Sequence, residues 1–435
     1  MKYYLRAGNL PNDKKLFLEC TDYYDGIVFP VNILAYYYNA IKYTLEATKK
    51  PFFIDPITAI FQKNQKQVKR EVLEDNKPKS EFKKSIDLYF KYIGGTARDI
   101  LKESDIKSST FNDDNLLDKF IEDILDYQYK IFKEKDNRSL TLDAYIEFLD
   151  ETDKNEEQKN EITPCFLVAP YFYFDEITDP WYLINQKIAR RVKKEKYHIP
   201  IYGVICTKIS VLNDDRIISQ IVSDFSNYDG FLIFLSGFNE YTANEEELST
   251  FLKFISVLGN TKKPIINLYG SYFSQLMQYF GLNGFSTGVG ILERKDLFEP
   301  KSEGYGQHKK LYNPALHRLI TEEESKSLIR EAPQTNTYNS PYYLKIEEFI
   351  KRNVTRKYGV DYVWKHLPNI NYQYLYPDFI YTKKEENREI ESNNLKEIII
   401  SLKLAWKSVE NNQMIRPDKK GHLNRWITVL SDNIK

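Results

Sequence analysis

Three charged residues stand directly after strand-like apolar runs: Asp55 in "FFIDPIT", Lys208 in "VICTKIS" and Glu240 in "FLSGFNEY". Two carboxylates and an amine gathered in one place have the parts for general acid–base catalysis, once burial or neighbours tune their pKa values. At matching positions after other apolar runs come Asn32, Tyr171, Tyr173, Asn239, Tyr269, Ser286, Thr287 and Gly288. Their amides, hydroxyls and backbone N–H groups suit a polar substrate. "STGVG" (286–290) adds a glycine-bearing turn of the kind that holds phosphate on backbone N–H groups.

Each of these residues also has a plainer reading. Asp-Pro opens helices, as at Asp179-Pro180, so Asp55 equally fits a capping residue. Glu240 and Lys208 equally fit solvated loop charges, and in a chain with 34 tyrosines Tyr171 and Tyr173 equally fit packing. The five histidines include no H-E-x-x-H pair, and only His308 and His317 in "GQHKKLYNPALH" fall within one short stretch. There is no Walker A sequence, no G-x-S-x-G and no kinase signature. No metal and no cofactor is expected.

A repeated grammar must position these residues. "CFLVAP", "IYGVIC", "FLIFL" and "PIINL" are each followed by a polar loop and an amphipathic helical stretch. Asp179 with Pro180, Asn213, and Asn244 with Glu247 mark helix starts, and Gly259 and Gly281 mark helix ends. The front of the chain uses the same grammar. "YDG" recurs at 24–26 and 228–230 and is echoed by "LNG" at 282–284, and "KKP" recurs at 49–51 and 262–264. Asp-Gly and Asn-Gly predict tight positive-φ turns into strands, and Lys-Lys-Pro predicts a helix stop followed by extended chain. The two turns alternate, as in an internal duplication.

Runs that are apolar at every position imply strands buried on both faces of a parallel sheet. Seven are named: 27–30, 52–55, 165–170, 201–206, 231–235, 264–268 and 285–287, with "VGILE" (289–293) or a later segment as the eighth. An open α/β sheet is the alternative. A (β/α)8 TIM-like barrel fits better, because "GIVFPVN" lacks the dinucleotide fingerprint that the first strand of a Rossmann sheet carries.

The expected organisation is two β/α units in residues 1–62, a helical insertion after the second strand in 63–161, further barrel units in 162–300, and a mainly helical, mildly basic region in 301–435. The insertion shows the stripes Phe82, Ile86, Tyr89, Phe90, Ile93 and Leu117, Phe120, Ile121, Ile124, Leu125, and ends in "DETDKNEEQKNE". With Lys+Arg and Asp+Glu both 62, the chain as a whole has no net field for nucleic acid or membrane. Residues 301–435 do carry 23 basic against 17 acidic side chains. "IKRNVTRKYG", "LAWKSV" and "IRPDKKGHLNRW" in 351–426 mix Arg and Lys with Trp and Tyr, which suits phosphate contact with base stacking and equally an amphipathic helix with a basic outer face. Three scattered cysteines and no long apolar run point to a reducing, cytoplasmic setting without a membrane segment.

Two functions fit. The first is a barrel enzyme doing acid–base chemistry with Asp55, Lys208 and Glu240 on a phosphorylated metabolite, nucleotide or nucleobase. The second is a non-catalytic barrel subunit of a defence or nucleic-acid-handling complex, meeting protein or nucleic-acid partners through the insertion and the basic tail.

Overall fold

The computed structural model describes residues 1–8, 10–62, 68–74, 77–103, 106–133, 162–289, 293–298, 310–321, 340–349, 371–411, 415 and 417–434. The barrel strands are β1 (Lys2–Arg6), β2 (Gly26–Pro30), β3 (Phe52–Asp55), β4 (Leu167–Val168), β5 (Ile201–Thr207), β6 (Gly230–Leu235), β7 (Ile265–Asn267) and β8 (Gly284–Gly288). They are hydrogen-bonded in parallel in the order β3-β2-β1-β8-β7-β6-β5-β4. Helices follow most of them, forming a nearly closed (β/α)8 TIM-like barrel. Every residue of β3, β5, β6 and β8 is buried, as two-faced burial requires.

The eighth strand comes from the front of the chain rather than from "VGILE". Tyr3, Tyr4 and Leu5 make only three apolar positions between Lys2 and Arg6, too short a run to stand out, yet β1 occupies the middle of the sheet between β2 and β8. Val289 is in a turn, and 290–292 lie outside the described residues. The insertion therefore follows the third strand.

The repeated turns also differ from expectation. Gly26, Gly230 and Gly284 open β2, β6 and β8 without positive φ. What they supply is room. A Cβ on Gly26 would lie 2.5 Å from the Tyr4 ring, and one on Gly230 2.5 Å from the Tyr202 ring. The preceding Asp or Asn ties the neighbouring strand: Asp25 Oδ2 accepts Tyr3 N–H, Asp229 Oδ2 accepts Ile201 N–H and Asn283 Oδ1 accepts Ile265 N–H, each at 2.8 Å. The left-handed residue sits in the other motif, two positions before the proline. Lys49 has φ 53°, Lys262 φ 59°, and His198 of "HIP" repeats it at 55°. One turn geometry thus feeds β3, β5 and β7.

Tyr4, Phe53, Phe166 and Tyr202 form a continuous chain of rings, with centroids 5.5, 4.6 and 3.9 Å apart. Tyr4 to Phe53 skips a strand, where Gly26 leaves room for the Tyr4 ring, so this stack fills the barrel interior. The seam lies between β3 and β4. One backbone bond crosses it, Cys165 N–H to Phe52 C=O at 2.9 Å, and side chains complete it. The Gln128 amide pairs with both polar groups of Val168 at 2.8 and 2.9 Å, and Gln62 does the same for Tyr173 at 2.6 and 3.0 Å. Thr58 Oγ1 accepts from Tyr171 N–H and donates to its carbonyl. An edge that would otherwise expose unpaired backbone groups is filled.

After β3 the chain forms a hairpin, Lys69–Glu74 with Lys77–Phe82, before helices Lys84–Tyr92, Gly95–Lys102 and Asp114–Lys130. The expected stripes from Ile86 to Ile93 and from Leu117 to Leu125 are buried, and "DETDKNEEQKNE" lies outside the described residues. Beyond residue 301 come a hairpin, Lys310–Asn313 with Arg318–Thr321, and helices Pro341–Phe349, Tyr376–Ser392, Leu395–Val409 and Pro417–Asp432. Helix Tyr376–Ser392 takes the place of the barrel's eighth helix. Lys383 C=O accepts from Gln275, Ile390 C=O from Tyr279, and Lys384 pairs with Asp25 at 2.7 Å.

Asp378 on that helix is buried and hydrogen-bonded by Ser340 and the Tyr343 N–H, while burial pushes its carboxyl up to about 7. Native protein then holds a proton between about pH 4 and 7 that unfolded chain has released, so stability falls as pH rises through that window. Asp378→Asn is expected to stabilise the protein by roughly 1–3 kcal/mol at pH 8 and by much less at pH 5. Urea denaturation at the two pH values measures it, and equal effects would exclude the ionisation.

Candidate active site at the barrel mouth

The C-terminal ends of β1 and β3 bring Arg6 and Asp55 together. Both are buried, and Arg6 Nη2 donates to Asp55 Oδ2. The other carboxylate oxygen accepts the Tyr171 hydroxyl and the Ile57 N–H, each at 2.9 Å. Asp55 is therefore both the cap of a tight turn (Ile57 has φ 47°) and one half of a buried ion pair. Burial, reinforced by Asp55, holds the Tyr171 phenol well above its ordinary pKa, so it stays a donor. Arg6 Cζ lies 4.9 Å from the centroid of the Tyr269 ring, and Arg6 Nη1 is buried without a hydrogen-bond partner.

The segment after β8 crosses this mouth. Lys295 C=O accepts Gly237 N–H at 3.1 Å, Ser236 Oγ accepts Leu297 N–H at 2.9 Å, and Phe298 stands edge-on to Tyr173. The segment delivers Lys295, whose Nζ lies 5.9 Å from the Phe234 centroid and 6.0 Å from that of Tyr269. Among the described residues no carboxylate pairs with it. Desolvation, then the nearby Arg6 charge, pushes its amine down to about 8, with Asp55 and Cys206 pulling the other way. Burial holds the Cys206 thiol well above its ordinary value, which leaves it unreactive.

The other expected residues are dispersed. Lys208 is 45% exposed and pairs with Asp175 at 3.1 Å beside an open cleft of about 440 Å³ on the rim. Glu240 is buried, and both its oxygens are taken by the N–H groups and hydroxyls of Ser271 and Ser274, so it caps the short helix Tyr272–Leu276. Asn32 lies half-buried in the first turn of a helix, and Asn239 Oδ1 accepts Tyr241 N–H in a turn. The Tyr173 hydroxyl donates to Asp175. Ser286, Thr287 and Gly288 lie within β8 rather than beyond it. Ser286 donates to the Leu268 carbonyl, Thr287 bonds the Tyr3 hydroxyl, and Gly288 pairs with Arg6 in register. Arg6 and Lys295 went unrecognised in the sequence. The one available signal was Arg6 at the end of a strand, in the position that Asp55 holds two strands away.

A second buried charge cluster lies between the C-terminal region and the barrel. Lys383 Nζ sits 3.2 Å from Glu293, 3.4 Å from Glu386 and 2.8 Å from the Tyr312 hydroxyl. Glu386 also meets His317 Nδ1 at 2.7 Å, and His317 stacks on Tyr272. Burial raises Glu293. For Glu386 burial acts in the same direction, but Lys383, His317 and Tyr312 outweigh it and hold it below its ordinary value. His308 lies outside the described residues, and among those described no group of three or more His, Cys, Asp or Glu side chains could hold a metal ion.

Of the basic C-terminal segments, "IKRNVTRKYG" lies outside the described residues. Trp426 is fully buried and donates to the Glu240 carbonyl, Arg425 donates to the Tyr241 and Ala243 carbonyls, and Lys420 donates to those of Val409 and Glu410. These side chains fasten the last helix to the fold, leaving Lys396, Lys403 and Lys407 exposed on helix Leu395–Val409. No helix among the described residues is long and apolar enough to cross a membrane. Neither protein-family models nor curated proteins show a match to this chain.

Proposed function

We propose that the chain is a barrel enzyme that takes a small anionic compound, such as a phosphorylated metabolite or nucleotide, at the C-terminal mouth and performs acid–base chemistry there. The observation that carries this reading is Arg6 Nη1, a buried guanidinium nitrogen with no partner, at the rim where Lys295 also arrives. Leaving such a group unpaired is costly, and an anion would satisfy it. Arg6 is the anion receptor, Asp55 fixes its fork, and Lys295 is the base, since a lysine with pKa near 8 is partly neutral at physiological pH. The roles expected for Lys208 and Glu240 pass to Lys295.

Thermal melts in inorganic phosphate and in a panel of phosphorylated metabolites and nucleotides test the reading. At least one is expected to raise Tm above a matched chloride control, with affinity falling about tenfold in Lys295→Met. No shift with any compound would sink it. Asp55→Asn keeps an acceptor for Ile57 N–H but leaves Arg6 uncompensated, so it should lower Tm in chloride and gain more from phosphate than the unaltered protein does. A residue that only capped the turn would show no phosphate dependence.

The non-catalytic subunit reading has one observation in its favour. Ile400 and Leu404 are 58% and 64% exposed on one face of helix Leu395–Val409, among its exposed lysines. A monomer in size-exclusion chromatography that retains no nucleic acid at low salt would count against it.

A further inference from the structure

We infer that Lys295 is a nucleophile, and that the compound it captures is a small aldehyde or ketone whose carboxylate or phosphate rests on Arg6. This rests on the reading of the mouth as the site and gives Lys295 there the role of attacking amine in place of base. This lysine is kept differently from the others. Lys208 lies against Asp175, Lys384 against Asp25, and the fully buried Lys383 against two glutamates. Lys295 is partly buried, reaches the Phe234 and Tyr269 rings, and is paired with no carboxylate among the described residues. The acid whose charge acts on it, Asp55, is already engaged by Arg6, Tyr171 and Ile57. An amine held in apolar surroundings beside a second cation gives up its proton more readily than a solvated lysine, so a larger share of it is neutral and nucleophilic.

The second element is the convergence on Tyr269. Arg6 Cζ and Lys295 Nζ both approach that ring, at 4.9 and 6.0 Å from its centroid. The anion receptor and the amine therefore serve one small molecule, held by its charge with its carbonyl toward Lys295. The amine lone pair attacks the carbonyl carbon, a C–N bond forms, and the carbonyl π pair moves to oxygen. That oxygen takes up a proton as nitrogen gives one up, yielding a carbinolamine. Its hydroxyl leaves with a proton from solvent as water, and the nitrogen lone pair closes the C=N bond of an iminium. No oxidant or reductant enters, and the iminium draws electrons from the adjacent carbon.

The test uses the full chain with sodium borohydride and, in separate reactions, pyruvate, dihydroxyacetone phosphate and acetone. Borohydride delivers hydride to the iminium carbon and fixes the adduct as a secondary amine, which peptide mass mapping locates. At least one of the two anionic carbonyls is expected to label Lys295 at least about tenfold above any other lysine and above acetone. Lys295→Arg should abolish the adduct, and inorganic phosphate should suppress it. Labelling should rise with pH through about 8, where the amine facing Arg6, Asp55, Cys206 and Tyr269 loses its proton. Surface lysines rise only near their ordinary value, about 10.4.

Labels scattered over exposed lysines such as Lys396 and Lys403, with Lys295 unmodified, would overturn the inference. So would labelling by acetone as strong as by the anionic compounds and insensitive to phosphate. The two levels fail differently. A phosphate-dependent Tm rise in the unaltered protein without any Lys295 adduct rejects the covalent step and leaves the anion site standing. Absence of both rejects both.

Discussion

Arg6→Met is expected to destabilise the protein by about 3–5 kcal/mol, the usual cost of removing one partner from a buried ion pair. The methionine fills much of the lost volume, so the loss is electrostatic. Asp55 would remain buried with only the Tyr171 hydroxyl and the Ile57 N–H for its charge. The double variant Arg6→Met with Asp55→Asn should recover most of the loss, because a neutral pair of similar shape is close to isoenergetic with the ion pair it replaces. Urea denaturation of the two single variants and the double variant measures the coupling. A single variant as stable as the unaltered protein would show that the pair is not desolvated in solution.

Lys383→Met should cost a similar amount, about 3–5 kcal/mol at pH 8, for a related reason. Two carboxylates, Glu293 and Glu386, share this one ammonium group at the junction of the barrel with the C-terminal region. Without it, Glu293, already raised by burial, would rise further, and Glu386 would lose the foremost influence that offsets its burial. Native protein would then hold protons that unfolded chain has lost, and stability would fall as pH rises from about 4 through those raised values. The deficit should accordingly shrink at pH 5. Adding Glu293→Gln to Lys383→Met should restore part of the stability at pH 8 and little at pH 5. A deficit independent of pH would assign the loss to packing of the lysine stem instead.

Seven of the eight barrel strands were legible because runs such as "IYGVIC" and "FLIFL" are apolar at every position, and that signature is local. The first strand was not, because "KYYLR" owes its central place to pairing with β2 and β8, which no short window contains. The same limit governs the site. Asp55 could be read from its position at a strand end. Lys295 could not, because "ERKDLF" looks like any charged loop and its burial is created by Phe234 and Tyr269, far away in the chain. Glu240 follows its strand as the sequence predicts, but whether a carboxylate faces a ligand or a helix N-terminus depends on Ser271 and Ser274 meeting it across the fold. The glycines of "YDG" pointed to a turn, whereas their necessity comes from tyrosine rings on adjacent strands.

The seam between β3 and β4 has a consequence for how the chain assembles. Thr58 and Tyr171, which meet across it, are 113 residues apart, and Gln128, which completes it, belongs to the insertion itself. The wall cannot close until the insertion has folded and presented that amide, a non-local step of the kind that slows folding. Nor is the insertion a passenger that could be trimmed to leave a minimal barrel. Excising it would strip Val168 of its partners and leave an open strand edge ready to pair with another chain. Evolution could enlarge or decorate this insertion, but could no longer discard it without first re-closing the barrel.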